Sequence, residues 1–462
     1  MSGSRFALAA ALALAALPAF ALEAVPQTPG PEIFGVPVEF ILFGLTLISV
    51  AVFHHYVLAV ALSGLTAIVL YKLAFTGFKY GPGLAGFGAH IGHEWVILTN
   101  LLCLLVGFAV LARHFEDSRV PEALPRVLPR DWKGGFVLLV LIFVLSGFLD
   151  NIAAALIGAT VAGTVFRQRV HIGYLAAIVA ASNAGGAGSV VGDTTTTMMW
   201  LDGVSPLAVL PAYLPALAAL LVFGVPAALQ QHRYSPLHVP SGRRAPIDWA
   251  RIFIVGLILA AAIATNVTVN MKFRHLADSF PFIGAAVWVA ILVCVPLRKP
   301  HWALVPDAFK GSIFLLALVT CASLMPVEKL PIASWQTSFG LGFLSSVFDN
   351  IPLTALALKQ GGYDWAMLAY AVGFGGSMMW FGSSAGVAVS NIFPQAKSVF
   401  EWVRHGWHVA IGYVVGFIVM LVVLGWNPTD RTRPHRLPEP AAQSQMPAAV
   451  QGIESRPTEG AR

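Results

Sequence analysis

The stretch Gly147-Phe148-Leu149-Asp150-Asn151-Ile152-Ala153-Ala154 sets an aspartate and an asparagine inside an apolar run, and Ser346-Val347-Phe348-Asp349-Asn350-Ile351-Pro352-Leu353 repeats the arrangement 199 residues further on. A carboxylate in hydrocarbon is costly, so two in matching settings point to a working site. Each pair precedes a glycine-rich polar stretch: Ser182-Asn183-Ala184-Gly185-Gly186-Ala187-Gly188-Ser189-Val190-Val191-Gly192-Asp193-Thr194-Thr195, and Gly373-Phe374-Gly375-Gly376-Ser377-Met378-Met379-Trp380-Phe381-Gly382-Ser383-Ser384. The glycines recur at one offset, 190 residues (375 − 185 and 382 − 192), so the chain reads as a duplication. The first copy holds nine more residues between its Asp-Asn pair and its glycines. They are expected around Phe166–His171, a basic hairpin tip without a counterpart in the second half.

Composition places this duplication in a membrane. Of 462 residues 57% are hydrophobic and only 11% charged, against about 25% charged in ordinary soluble domains. The net charge of +6 sits in short loops between apolar runs, the pattern of topogenic charge and not of a nucleic-acid patch. Cys103, Cys294 and Cys321 lie in apolar stretches with no metal-ligand spacing and exclude a disulfide scaffold. Arg5, the apolar Phe6–Leu17 and Ala19-Phe20-Ala21 read as a signal peptide over residues 1–21. Cleavage after Ala21 would leave Leu22 and the Pro26–Pro37 stretch outside a bacterial inner membrane.

Apolar runs and their interruptions predict an all-α polytopic membrane protein with roughly 10–13 membrane segments. Residues 36–134 would be scaffold helices, 135–230 a first transport repeat, 231–310 linker and scaffold, 311–426 a second repeat, and 427–462 a disordered cytoplasmic tail. The loops Arg113–Lys133 and His232–Arg251 carry clustered arginines and are cytoplasmic by the positive-inside rule, as is the loop of Arg298, Lys299 and Lys310. The run Gly135–Leu149 then goes outward, whereas Trp335–Phe348 returns inward. Helices entering Asp150 and Asp349 from opposite sides are the mark of inverted-topology repeats, with substrate and coupling ions held near the midplane.

The two stretches also carry the chemistry. Irregular backbone at membrane depth is tolerated only where protein or a water-filled cavity satisfies it. Asp150, Asn151, Ser182, Asn183, Asp193, Thr194 and Thr195 in the first half, and Asp349, Asn350, Ser383 and Ser384 in the second, offer carboxylate, amide and hydroxyl oxygens. Such hard ligands suit a small hard cation, and the carboxylates can exchange it for protons. The cation is assigned to Asp150, Asp193 and Thr194, with Thr194 preferred because Thr196 and Thr197 are as readily explained by bonding to their own helix. A cap at an interfacial helix end is the bland reading of Asp150 or Asp349. No His-Glu-x-x-His helix appears, and no carboxylate-nucleophile pair with a base partner, which argues against a membrane-embedded enzyme.

With the Asp-Asn pairs, Ser-Asn-Ala-Gly-Gly-Ala leading into Gly-Asp-x-Thr-Thr, Asp-Asn-Ile-Pro, and Gly-Gly-Ser before Gly-Ser-Ser-Ala-Gly-Val-Ala, the chain resembles the NhaD-type sodium/proton antiporters. Citrate and dicarboxylate carriers and arsenite permeases are relatives within the same ion transporter superfamily. The resemblance implies two inverted repeats, each with a re-entrant hairpin and a broken helix, on a scaffold able to form a homodimer. It also implies exchange of Na⁺ or Li⁺ for protons with no cofactor, the lipid bilayer, small cations and protons being the only other partners. Val190-Val191 stands where the family commonly has a proline. A carrier for citrate or another dicarboxylate is the alternative, against which no Arg or Lys falls within the polar motifs.

Overall fold

The computed structural model describes residues 30–429 apart from 54–55, 124, 126–127, 239–245 and 274–275. The expected signal peptide and the chain beyond Thr429 lie outside these residues. A two-residue antiparallel hairpin, β1 (Glu32–Ile33) with β2 (Val36–Pro37), precedes a chain that is otherwise built of helices. The first three, α1 (Val38–Val52), α2 (Val57–Tyr71) and the 35-residue α3 (Gly83–Asp117), pack with α9 (Trp249–Lys272), α10 (Phe282–Cys294) and α11 (Val305–Ser323). Among the described residues six helical stretches are long and apolar enough to cross a bilayer: Val57–Thr76, Gly83–Asp117, Pro206–Tyr234, Trp249–Val269, Trp302–Ser323 and Val399–Leu424. The protein is an all-α, multi-pass membrane protein.

The remaining helices are shorter and break at the sequence motifs. Helix α4 (Trp132–Ser146) turns at Gly147–Asp150 and packs back against α5 (Asn151–Val165). After a tip at 166–171, α6 (Ile172–Ala187) stops, the chain is irregular over 188–193, and α7 (Thr194–Leu201) resumes. The second half repeats this order with α12 (Trp335–Ser345) and α13 (Asn350–Gln360), a tip at 361–364, then α14 (Trp365–Gly375) and α15 (Ser384–Ile392). Between and after them run α8 (Tyr213–Tyr234) and the 26-residue α16 (Val399–Leu424), packed along each other.

Backbone proximity explains the repeated glycines. A Cβ at Gly185 would collide with the Phe143 carbonyl of α4, and one at Gly375 with the Gly342 carbonyl of α12. Gly192 and Gly382 are held in the same way against the Ser146 and Ser346 carbonyls. The glycine pattern thus encodes where each interrupted helix presses on the first arm of its hairpin. Matching serines tie the same surfaces together: Ser146 Oγ donates to the Ser182 carbonyl, 2.5 Å, and Ser345 Oγ to the Val372 carbonyl, 2.6 Å.

Two expectations change. The first copy's extra residues do not form a unique tip, because Gly361-Gly362-Tyr363-Asp364 is the counterpart of 166–171. The length lies mostly in the arms, α5 having 15 residues against 11 in α13, and α6 having 16 against 11 in α14. The last described residues of the chain meet the second tip. Asn427 N donates to Asp364 Oδ2 (3.1 Å) and Trp365 Nε1 to the Thr429 carbonyl (2.7 Å), at the second tip. The first tip lies at the other end of α16, where the His171 and His405 rings are 4.8 Å apart, near the basic loop that follows α8. Nor is Trp335–Phe348 one continuous run: α12 ends at Ser345, and the chain turns into α13, capped by Asp349.

Candidate functional site

Four helices begin at one place. Asp150 caps α5, accepting from the Ile152 amide at 3.1 Å; Asp193 caps α7, accepting from Thr195 N at 3.1 Å; Asp349 caps α13, accepting from Ile351 N at 3.0 Å. Ser383 caps α15 through the Gly386 amide, 3.3 Å. The carboxylates are therefore helix caps, as the bland reading had it, yet they lie at turns and breaks inside the fold and not at interfacial ends. Each N-terminus brings partial positive charge and unpaired amides to its own cap, which makes a carboxylate tolerable there.

Asn183 knits the two halves together. Its Oδ1 accepts from Asn151 Nδ2 at 3.0 Å, while its Nδ2 donates to Ser377 Oγ at 2.9 Å and Ser383 Oγ at 3.1 Å. Asn183 is fully buried, as are Ser377 and, within a few per cent, Asn151 and Ser383. Ser384 Oγ donates to Asp349 Oδ2 at 3.3 Å. Ser377 belongs to this network although it is not among the candidate ligands; its hydroxyl follows the Gly375-Gly376 pair, where the chain leaves α14.

A cleft of about 490 Å³ reaches this network. Its inner end is lined by Asp150, Asn151, Asp193, Thr194, Asn350 and Ser384. Its walls are α3 and α11, and its other end meets Arg113, Glu116 and Asp307, on the side of the Arg113–Lys133 loop. Among the described residues no salt bridge engages Asp150, Asp193 or Asp349, whereas Arg113 is paired with Glu116 at 3.0 Å and Asp117 at 3.2 Å. The cleft therefore ends on carboxylates without cationic partners. Toward the opposite face, Lys359 at the end of α13 bonds Glu94 of α3 at 2.5 Å, both side chains largely buried.

Individual hydroxyls divide sharply. Thr196 Oγ1 donates to the Ser189 and Asp193 carbonyls, and Thr197 Oγ1 to the Val190 and Asp193 carbonyls, so both serve the break itself. Ser182 Oγ bonds the Val179 carbonyl of its own helix and is not brought to the cleft. Thr194 faces the cleft. Thr195 is wholly buried, and its Oγ1 lies beside the Asp193 carboxylate, whose Oδ2 faces α14. Both atoms border the position of Gly373, where a Cβ would stand 2.9 Å from Asp193 Oδ2 and 3.9 Å from Thr195 Oγ1. Gly373 carries no polar atom, and only its match with Asn183 across the 190-residue offset could have drawn attention to it.

No protein-family model matches the chain. Curated relatives do. It is 26% identical over 336 residues to "Sodium/proton antiporter 1" of Arabidopsis thaliana, covering 63% of this chain and 55% of that protein. To "Na(+)/H(+) antiporter NhaD" of Vibrio cholerae it is 27% identical over 336 residues, 61% of this chain and 69% of the relative. The NhaD of Vibrio parahaemolyticus matches at 25% over 391 residues, 70% of this chain and 90% of the relative. The resemblance to the NhaD-type family holds. These NhaD-type relatives bear names of transporters and not of enzymes. The chain spans a little over half the length of the plant relative and more of the bacterial ones.

Proposed function

We propose that the protein is a secondary antiporter of a bacterial plasma membrane that exchanges Na⁺ or Li⁺ for protons. The observation that carries this reading is the cleft that ends on Asp150 and Asp193, two carboxylates with no basic partner. A charge crossing hydrocarbon must be neutralised, and a carboxylate can be neutralised by a proton or by a small cation, but not by both at once. That competition couples the two fluxes. Asp150 and Asp193 are the shared carriers, Thr194 and Thr195 the neutral ligands beside them, and Asp349 with Ser384 and Asn350 completes the wall from the second half.

The paired hairpins and interrupted helices support two repeats of inverted topology, with re-entrant hairpins that open to opposite faces. By the positive-inside rule the cleft mouth at Arg113, Glu116 and Asp307 is cytoplasmic. A dicarboxylate would need cationic groups or open helix N-termini at the inner end. Arg113 is already paired, and the N-termini of α5, α7, α13 and α15 are filled by their own caps. The test is the Na⁺- and Li⁺-driven pH change in everted vesicles. Asp193→Asn should abolish it while the protein remains in the membrane, and preserved exchange in that variant would sink the assignment.

A further inference from the structure

We propose that the tip of the first hairpin, together with the end of α8, binds the anionic headgroup of a membrane phospholipid, holding its phosphate with Arg167, Arg169 and Arg233. Antiport at Asp150 and Asp193 gives this tip no task, and the site stands independently of it. Basic residues in a cytoplasmic loop are ordinarily topogenic, which requires charge and nothing more. Here the backbone is bent to present them. Arg167 and Gln168 both lie in the left-handed region, with φ of 53° and 61°. That conformation is unfavourable for a residue with a Cβ, and the place just past a helix end usually falls to glycine. The second tip does use glycine: Gly361 and Gly362 take φ of 76° and 77°, and no basic residue stands between 361 and 364. Strain kept in one repeat and relieved in the other points to a use for the side chains. Gln168 folds back, so that a Cβ at Gly163 would lie 3.0 Å from its Nε2, while Arg167 and Arg169 stay exposed.

The tip is also fixed in place. Gln231 of α8, wholly buried, accepts from the His171 amide at 2.7 Å and donates to the Arg169 carbonyl at 3.1 Å; Ser235 Oγ donates to the Phe166 carbonyl at 3.3 Å. These bonds seat the Arg169 guanidinium over the Tyr234 ring, 5.4 Å from its centre, with the exposed Arg233 next along the chain. Among the described residues none of the three arginines has an acidic partner, and Glu401 of the neighbouring α16 is engaged by His405 at 2.9 Å. The anion is placed in a lipid by the end of α8. Tyr234 closes one of the membrane-long stretches and is 48% exposed, so its ring stands where tyrosine marks the bilayer surface. Anionic lipids concentrate on the cytoplasmic side, where the charge pattern puts this tip. A headgroup phosphate in that plane meets the arginines without leaving the bilayer, and the guanidinium fork suits its oxygens.

The measurement is native mass spectrometry of the purified full-length protein, titrated with phosphatidylglycerol or with phosphatidylcholine of the same chains, and with inorganic phosphate as competitor. The wild type should take up a first phosphatidylglycerol well ahead of any phosphatidylcholine. An arginine beside an anionic lipid is worth about fivefold in affinity, so Arg167→Gln with Arg169→Gln should weaken that first binding by about tenfold or more. Lys299→Gln with Lys310→Gln takes the same charge from exposed positions on the scaffold's cytoplasmic side and should leave it unchanged. Arg167→Gly should lose affinity yet melt at a higher temperature in lipid-free detergent, because glycine accepts the left-handed turn. An equal loss in the lysine pair would reduce the effect to overall surface charge, and displacement by inorganic phosphate would make this a site for the free anion. Either result overturns the inference, as does an Arg167→Gly variant that binds phosphatidylglycerol as the wild type does.

Discussion

Asn183 shows how much one side chain can hold. Its amide uses both ends, accepting from Asn151 on the first hairpin and donating to Ser377 and Ser383 at the break of the second interrupted helix. Removal leaves three buried polar groups with fewer partners, and an unsatisfied buried donor or acceptor costs about 1–3 kcal/mol. Asn183→Ala should therefore destabilise the protein by about 2 kcal/mol and lower the exchange rate. Thermal melting in detergent, followed by vesicle exchange, checks both; unchanged melting would show that water takes over the amide's bonds. Asp150, Asn151, Asp193, Asp349, Ser383 and Ser384 were legible because charge and amide stand out in an apolar run. Ser182 was misread because a hydroxyl in a helix can satisfy itself on the Val179 carbonyl, and sequence does not tell which way it turns. The close approach of Gly373 to Asp193 was illegible because glycine carries no polar atom to mark it.

Elements, by contrast, were legible in kind. The apolar runs located the helices, and the recurring glycines foretold where α6 and α14 press on α4 and α12. The turn at Asp349 was read as a point along a crossing because an N-cap within a hairpin and a polar residue within a span look alike at eleven residues a side. Ion pairs between elements carry predictions of their own. Lys359 of α13 and Glu94 of α3 join a hairpin to the scaffold, and removing one member of a buried pair typically costs about 3–5 kcal/mol through the charge left behind. Lys359→Met should destabilise by about that amount, and the double variant with Glu94→Gln should recover most of the loss; a melting series that finds the two changes additive would refute the coupling. Outside the membrane, Asp248 caps α9 and bonds Arg298 Nε at 2.8 Å, and that bond holds its carboxyl below the ordinary aspartate range. A depressed carboxyl contributes stability that is complete above its unfolded value and is lost as pH falls through the folded one. Asp248→Asn, which keeps a capping oxygen, should remove that acid-side slope from the melting profile.

At the scale of the whole molecule, one cleft is open and its opposite end is shut. The open end meets Arg113, Glu116 and Asp307; the Glu94–Lys359 pair lies toward the other face, and nineteen residues of α3 separate Glu94 from Arg113, roughly 28 Å at 1.5 Å per residue. On the proposed exchange a second arrangement reverses access, and the prediction is that this arrangement breaks the pair. Its free energy therefore biases the equilibrium between the two. In a background with Cys103, Cys294 and Cys321 replaced by alanine, Ala109→Cys puts a thiol on the cleft wall at a partly exposed position. A membrane-impermeant maleimide should label it from the face of the Arg113–Lys133 loop, in everted vesicles, and much more slowly in right-side-out ones. Adding Glu94→Gln with Lys359→Met removes the pair without leaving a buried charge, and labelling from the second face should then rise severalfold. If the rates on both faces stay as they were, the pair braces the scaffold against α13 and has no part in closing the outer side; if the first face never labels, the cleft is not the path.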